Sequence, residues 1–490
     1  MSPRLTDLRG LPEDVQVPGY DRTTHGTGIV HLGLGAFHKA HQAVYTDDAL
    51  GAEGGDWRII GVSLRSTGPS EELMPQGGLY TVIERSVDGT HARVVGALDS
   101  AFALRQEPDA VEAALRDPAT KIVSLTVTEK GYGIDRATGG VDRRHPAIAA
   151  DLADPQNPQG VAGLLVRALG QRRTDGTLPF TVLCCDNLPE NGRMLCGLLM
   201  DFARQVAPEL SEHIAQEVAF PCTMVDRITP ARGPATLDLA ERLIGRRDEA
   251  AIEAEAFRQW IIEDDFPAGR PAWDAGGAIF VEDVRPYEEM KLRMLNGAHS
   301  MLAYTGFLLG HTFVRDVMND PDLVPLIKRH IAAAAGTLPP MPGVDLDSYA
   351  RDLSARFANP HLEHATYQIA MDGSEKLPQR VWAPACDARQ KGLPLDAFAF
   401  ATAAWIRYAF GRTEAGEAYD LRDPREAALR SALDGTDTAE SALARLADLE
   451  HLMPEELGAD AQWLRAVAVR LETMMSRGMR SAVKRELQAS

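Results

Sequence analysis

The sequence predicts an α/β protein in which a mostly parallel sheet domain is followed by an all-α domain, and three observations carry that expectation. Short apolar runs rich in β-formers alternate with helical stretches over residues 1–282, as a parallel sheet with crossover helices requires. From about residue 283 the apolar positions recur at helical spacing, with few strand candidates. Several strand candidates run straight into polar, glycine-bearing clusters, and in open α/β sheets the ligand crevice lies outside the carboxyl ends of the strands. The expected domains are therefore 1–282 and 283–490.

Composition narrows the class. The 490 residues contain no apolar run near the roughly 18 needed to span a membrane, so a soluble chain of two or more domains is expected, without a membrane partner. The start, Met1-Ser2-Pro3-Arg4, leads into polar sequence rather than a secretory signal. Five cysteines, among them the pair Cys184-Cys185, show no repeated CxxC spacing, which fits a reduced cytoplasm and gives no metal site. A formal net charge of -19 argues against a nucleic-acid partner. A small anionic substrate is not excluded, since it responds to the local field of a few residues.

In chain order, Gly28 to Gly35 is a β-type run ending in Gly33-Leu34-Gly35, before a helical stretch beginning Ala36-Phe37. Backbone N–H groups at such a helix start receive a pyrophosphate, which makes Gly33, Gly35, Ala36 and Phe37 candidate cofactor-binding residues. The usual third glycine is replaced by His38, so a plain strand-turn-helix stays open as the other reading. Trp57 to Leu64 reads as the second strand. At its end Arg65-Ser66-Thr67 stands where an NAD-binding fold usually offers an acid to the ribose, so Arg65 is a cofactor candidate and the choice between NAD and NADP stays open. Leu79 to Glu84 and His91 to Gly96 flank Asp88-Gly89, a two-residue hairpin signal that predicts an antiparallel insertion in the sheet. Three buried-type strands follow, 121–127, 180–185 and 218–225, ending in clusters that contain Glu129 and Lys130, Asn187, and Asp226. Asn187 and Asp226 are the expected substrate contacts, with Glu129 and Lys130 near the cofactor.

The second domain opens on Lys291-Leu292-Arg293-Met294-Leu295-Asn296-Gly297-Ala298-His299-Ser300. On an α-helix Lys291, Asn296 and His299 fall at roughly 0°, 140° and 80°, one face carrying a lysine, an amide and an imidazole. Burial disfavours an ammonium, and a lysine so neutralised is the base that oxidation of an alcohol needs. A solvated helix face is the alternative. Further helices are expected at 322–335, 346–357, 395–410, 423–433 and 460–487.

With these stretches the chain resembles the polyol-specific long-chain dehydrogenases, the mannitol dehydrogenase family. The resemblance rests on His31 to Gln42, Thr126 to Tyr132, Cys185-Asp186-Asn187, Phe220 to Arg227 and Lys291 to His299, and covers nearly the whole chain. It implies a Rossmann-type dinucleotide-binding domain followed by a mainly α-helical substrate domain. It also implies metal-free interconversion of a secondary alcohol and a ketone, with NAD first and NADP possible. Mannitol 2-dehydrogenases carry an arginine eight residues before the lysine of an Asp-Gly-Ser-x-Lys segment, and here that position is Gln368. The stretch Thr366 to Arg380 is instead similar to the fructuronate reductase (D-mannonate oxidoreductase) branch.

Lys376 and Arg380 are four apart and, with Pro378 in a first helical turn, would share a side and hold a substrate carboxylate. Pairing of Arg380 with a surface acid is the alternative. The expected mechanism is direct hydride transfer: Lys291 as general base, Asn187 and Asn296 donating to the developing alkoxide, His299 orienting the substrate, and Asp226 accepting from a neighbouring hydroxyl. Glu288 is either a proton relay or an ordinary helix carboxylate. The substrate expected is D-mannonate/D-fructuronate, with D-mannitol/D-fructose or D-arabinitol as the alternative, in a monomer or small homo-oligomer.

Overall fold

The computed structural model describes residues 2–135, 138–341, 343–361 and 363–489, and the chain divides into two units, Met1–Arg285 and Pro286–Ser490. In the first unit the strands are β1 (Thr27–Leu32), β2 (Arg58–Ser63), β3 (Tyr80–Ser86), β4 (Gly89–Val95), β5 (Leu98–Ala103), β6 (Ile122–Leu125), β7 (Thr181–Cys184), β8 (Thr223–Asp226), β9 (Ile252–Glu255), β10 (Gln259–Glu263) and β11 (Ile279–Val281). Five of them make one wholly parallel sheet in the order β5-β2-β1-β6-β7. Sequence order departs in opposite directions from β1, towards β2 on one side and β6 on the other. That makes the carboxyl ends of β1 and β6 the topological switch point, where such sheets open a crevice. Both faces are buried, which is why the strands read as near-continuous apolar runs: Ile29, Val30 and Leu32 of β1 and Ile122, Val123 and Leu125 of β6 have no exposed surface.

Two expectations for this unit are corrected. The hairpin forms, but the register pairs Ser86 with Gly89, so the turn is Val87-Asp88, one residue earlier than the Asp88-Gly89 signal. Ser86 Oγ accepts from the Asp88 N–H at 3.2 Å and starts the turn there. Nor does the hairpin insert into the parallel sheet, since β3 pairs with β9 in a separate sheet ordered β4-β3-β9. Likewise the run 218–225 shortens to β8, which pairs antiparallel with β10 in a third sheet, β11-β10-β8. Its carboxyl end is therefore not one of the parallel sheet's. Strands β5, β9, β10 and β11 were not expected; three to six residues each, they have too little periodicity to stand out from loops.

The regular secondary structure among the described residues of the second unit is helical, apart from isolated bridges. Its core holds Trp382, Trp405, Trp463, Tyr304 and Tyr408, all essentially without exposed surface. Helices at Leu323–Thr337, Leu346–Phe357, Asp396–Ala409 and Glu426–Leu433 match the expected periodic stretches within a few residues. The expected 460–487 helix breaks into Ala461–Arg477 and Met479–Gln488 at Gly478, whose φ of 80° no α-helix continues through. No helix among the described residues is long and apolar enough to cross a membrane.

Candidate active site

The candidate residues fall in both units of the chain. In the first, β1 ends in Gly33 at φ 99°, and a Cβ there would lie 2.3 Å from the Thr126 carbonyl oxygen, so only glycine lets β1 and the end of β6 approach this closely. The N–H groups of Gly33 and Leu34 both donate to Val62 O, at 2.8 and 3.1 Å. Beyond them the short helix Ala36–Ala40 is N-capped by Gly35 without a side-chain acceptor. Among the described residues the N–H groups of Gly35, Ala36 and Phe37 have no protein acceptor, and such donors at a helix start fit a dinucleotide's pyrophosphate. His38, at the third-glycine position, is buried and stacks on His31 with ring centroids 3.5 Å apart. Arg65 lies exposed in the loop after β2, where no acid occurs between Ser63 and Gly68.

Glu129 and Lys130 lie exposed in the turn Glu129–Gly131 after β6. The preceding Thr128 has φ 70°, a strained value for a β-branched residue. Its geometry is held by Asp186, whose carboxylate accepts from Val127 N at 2.9 Å, Thr128 N at 3.3 Å and Tyr132 Oη at 2.7 Å. Burial raises the Asp186 pKa above the usual carboxylate value, against the pull of those donors. Asn191 likewise ties main-chain groups together, since its amide donates to the carbonyls of Cys184, Asp186 and Thr223 and accepts from Thr223 N. Exposed Asn187 is thus carried on a loop pinned to three strand ends. Asp226, 6% exposed, is the last residue of β8 and stands opposite Gln259 of β10. Asp186, Asn191 and Tyr132 were not singled out as functional residues. Their only signal is their place in polar clusters at strand ends; Asp186 and Asn191 bond main-chain groups up to 59 residues away, and Tyr132 bonds the Asp186 carboxylate 54 residues on.

In the second unit Lys291–Asn296 is wound as a π-helix, continuous with Arg285–Met290 before it and Gly297–Leu308 after it. The Gly297 N–H bonds Leu292 O, five residues back. This corrects the α-helical geometry assumed above: in an i→i+5 ladder, positions five apart stack on successive turns, so Lys291 and Asn296 share a line more closely than α-helical spacing gives. His299, three residues further along regular helix, follows on the same side. Lys291 is 8% exposed and His299 6%. The His299 ring packs at 4.4 Å on Phe357 and edge-on to His364. Burial, then the charges of His364, Arg356 and Arg380, hold it well below the usual imidazole pKa, hence neutral.

A second π-helical segment, Pro378–Trp382, carries Arg380. Pro378 is not in the first turn of a helix, as expected, but at a junction inside a continuous helical run, Gly373 to Gln390. Lacking an N–H and clashing with the carbonyl four residues back, it forces the wider winding there. The two segments touch: a Cβ on Gly297 would lie 2.6 Å from Arg380 O. The Arg380 side chain reaches Ser300 Oγ at 3.3 Å, and among the described residues no carboxylate comes within 4.0 Å of its guanidinium. Tyr304 Oη, whose pKa burial raises against the lowering pull of the Arg380 charge, is buried without a partner among the described residues. Lys376 donates to Met371 O at 2.6 Å and lies 3.7 Å from Asp372, whose φ of 56° is left-handed. Burial and then the Arg380 charge lower the Lys376 pKa, so the two cations do lie near one another.

No group of three or more His, Cys, Asp or Glu residues among those described is arranged to hold a metal ion. The sequence matches two family models, the mannitol dehydrogenase Rossmann domain over residues 27–275 and the mannitol dehydrogenase C-terminal domain over 283–475. It is 42% identical over 483 residues to the uncharacterized oxidoreductase YeiQ of Escherichia coli (strain K12), covering 96% of this chain and 97% of that one. It is 42% identical over 481 residues to the D-mannonate oxidoreductase of the same organism, covering 95% and 97%. Among solved structures, a Pseudomonas fluorescens mannitol 2-dehydrogenase ternary complex with NAD and D-mannitol superposes with a TM-score of 0.84 at 35% identity, covering all of both chains.

Proposed function

This chain belongs to the mannitol dehydrogenase family, and we propose that within it the protein is an NAD-dependent secondary-alcohol dehydrogenase interconverting D-mannonate and D-fructuronate. The observation that carries the choice of a sugar acid is Arg380. A guanidinium largely withdrawn from water without an acid partner is costly, and a substrate carboxylate compensates it through charge-assisted, bidentate hydrogen bonds. Lys376 adds positive potential at that point, although its ammonium is mostly engaged by Met371 O and Asp372. Relatives that act on mannitol support a second reading, D-mannitol/D-fructose, and D-arabinitol belongs with it. Coenzyme preference for NAD rests on the family; the loop after β2 has no acid to repel a 2′-phosphate, so NADP is the alternative. The five cysteines are free thiols, which supports work in the reducing cytoplasm.

In the oxidative direction, neutral Lys291 takes the hydroxyl proton from the carbinol; the residue's burial favours the uncharged amine. Bound NAD supplies the acceptor for the carbinol hydrogen, taken as hydride at C4 of the nicotinamide. Asn187 and Asn296 donate amide N–H bonds to the alkoxide oxygen as charge develops on it. His299, held neutral, donates from one ring nitrogen to a substrate oxygen without repelling a lysine proton. Asp226 accepts from the neighbouring hydroxyl, and Glu288 passes the proton from Lys291 to solvent. Gly35, Ala36 and Phe37 would seat the pyrophosphate through their N–H groups, Gly33 makes the turn that aims them, its own N–H being held by Val62 O, and Arg65, Glu129 and Lys130 would lie around the rest of the coenzyme.

The test is a panel of D-fructuronate, D-tagaturonate, D-fructose, D-mannitol and D-arabinitol with NAD(H) and NADP(H). The expected result is the highest kcat/KM for D-fructuronate with NADH. A preference for D-fructose or D-mannitol transfers the assignment to the second reading, and no turnover of any secondary alcohol or ketone removes both.

A further inference from the structure

Beneath the Gly33-Leu34-Gly35 turn runs a line of buried polar side chains that the mechanism above does not use. Ser124 Oγ lies 2.7 Å from the Gln42 side-chain amide and 2.8 Å from His31 Nδ1. On the other side of the ring, His31 Nε2 is 2.9 Å from Thr126 Oγ1, which is 3.0 Å from Gly33 O. His31 and Ser124 have no exposed surface, and the stacked ring of His38 covers His31 from water.

The proton positions follow from what each atom is able to do. A carbonyl only accepts, so Thr126 spends its one hydroxyl proton on Gly33 and must accept from His31 Nε2–H. Burial lowers the His31 pKa to about 3, so the ring carries a single proton and Nδ1 is an acceptor. The donor to Nδ1 is Ser124 Oγ–H, which leaves the Ser124 oxygen to accept from Gln42. That requires the Gln42 amide to face Ser124 with its nitrogen, and the orientation of a side-chain amide is fixed by its hydrogen bonds rather than its shape. The same turn gives Gln42 Nε2, otherwise buried with no acceptor, its partner.

We propose that His31, as the Nε2–H tautomer, is a positioning residue for dinucleotide binding. A one-way chain of hydrogen bonds, Gln42 to Ser124 to His31 to Thr126 to Gly33, fixes the Gly33 carbonyl and so the aim of the N–H groups that follow it. His31 touches no part of the coenzyme; it acts through Thr126 and Gly33. The dinucleotide role of the turn rests on the reading given above, while the tautomer and the direction of the chain follow from the hydrogen-bond distances together with a neutral His31 ring and a Gln42 amide turned to face Ser124 with its nitrogen.

Two measurements test this. Nitrogen-15 NMR of histidine-labelled protein, with the His31 signal identified by its loss in His31→Asn, should show protonated Nε2 and unprotonated Nδ1 unchanged from pH 8 to pH 5. Fluorescence titration with NADH should show Thr126→Val weakening Kd by roughly tenfold, the worth of one net hydrogen bond, with Thr126→Ser within about twofold of wild type. KM for NADH should rise in parallel while kcat and the sugar KM move less than about twofold. An Nδ1–H tautomer, or Thr126→Val binding NADH as wild type does, overturns the proposal. Wild type that binds no dinucleotide overturns the coenzyme reading and this role with it, an outcome distinguishable from the failure of the positioning role alone.

Discussion

Lys291 differs from a surface lysine in being almost wholly enclosed on a wall it shares with Asn296 and neutral His299. A general base that also positions the substrate contributes more than proton transfer alone, so Lys291→Ala should lower turnover at least about a thousandfold with the fold intact. Circular dichroism and steady-state rates check this, and retention of more than about a tenth of wild-type turnover removes the assignment. At this scale the sequence is legible where the candidate residues are neighbours in the chain: the lysine, amide and imidazole of 291–299 stand together in one helical run. It is not legible for Asp186 and Asn191, which bind main-chain groups of Val127, Thr128 and Thr223, 32 or more residues away. A short polar residue in a loop gives no sign of which distant carbonyl it will meet.

At the scale of elements, the two π-helical segments pack on one another near Gly297 and Arg380, and extra residues of this kind in a helix commonly occur at functional sites. Proline at 378 announces the second segment; the first has no proline to announce it. Gly297 is the contact point. Alanine is favoured over glycine in a helix by about 1 kcal/mol, whereas a Cβ 2.6 Å from Arg380 O and 3.1 Å from His330 Nε2 incurs an overpacking cost of about 1–3 kcal/mol. The clash should win, and Gly297→Ala should lower the melting temperature and raise the sugar KM. A variant more stable than wild type would mean the segments are not tightly apposed. The hairpin shows the converse limit of the sequence: its pairing was readable from Asp88-Gly89, but its membership of a separate sheet depends on β9, over 160 residues further on.

At the scale of the whole molecule, burial of imidazoles couples stability to pH. His330, with no exposed surface beyond 1% and neither ring nitrogen partnered by a described side chain, has its pKa lowered by burial from 6.5 to about 4. The unfolded chain therefore binds this proton first as pH falls. The stability that neutral His330 contributes is complete above pH 6.5 and is lost progressively down to about pH 4. Urea denaturation at pH 7 and pH 4.5 should show wild type losing about 2 kcal/mol more than His330→Leu. Equal losses would mean that this ring is protonated, or reaches water, in the folded state.

The class of fold was legible because β and α periodicities separate cleanly near residue 283, and the strand-turn-helix because its glycine turn directly follows β1. The substrate's charge is the property on which the whole account turns, and Arg380 is the residue proposed to read it. Charge-assisted hydrogen bonds are commonly worth about 1.5–3 kcal/mol, so losing them costs an anionic substrate roughly ten- to a hundredfold. The decisive measurement is kcat/KM for D-fructuronate and for D-fructose in wild type and Arg380→Ala. The account predicts a ten- to hundredfold loss for D-fructuronate, larger at low ionic strength, with D-fructose changed less than about threefold. Equal losses on the two substrates, or a wild type that ignores D-fructuronate, would contradict it.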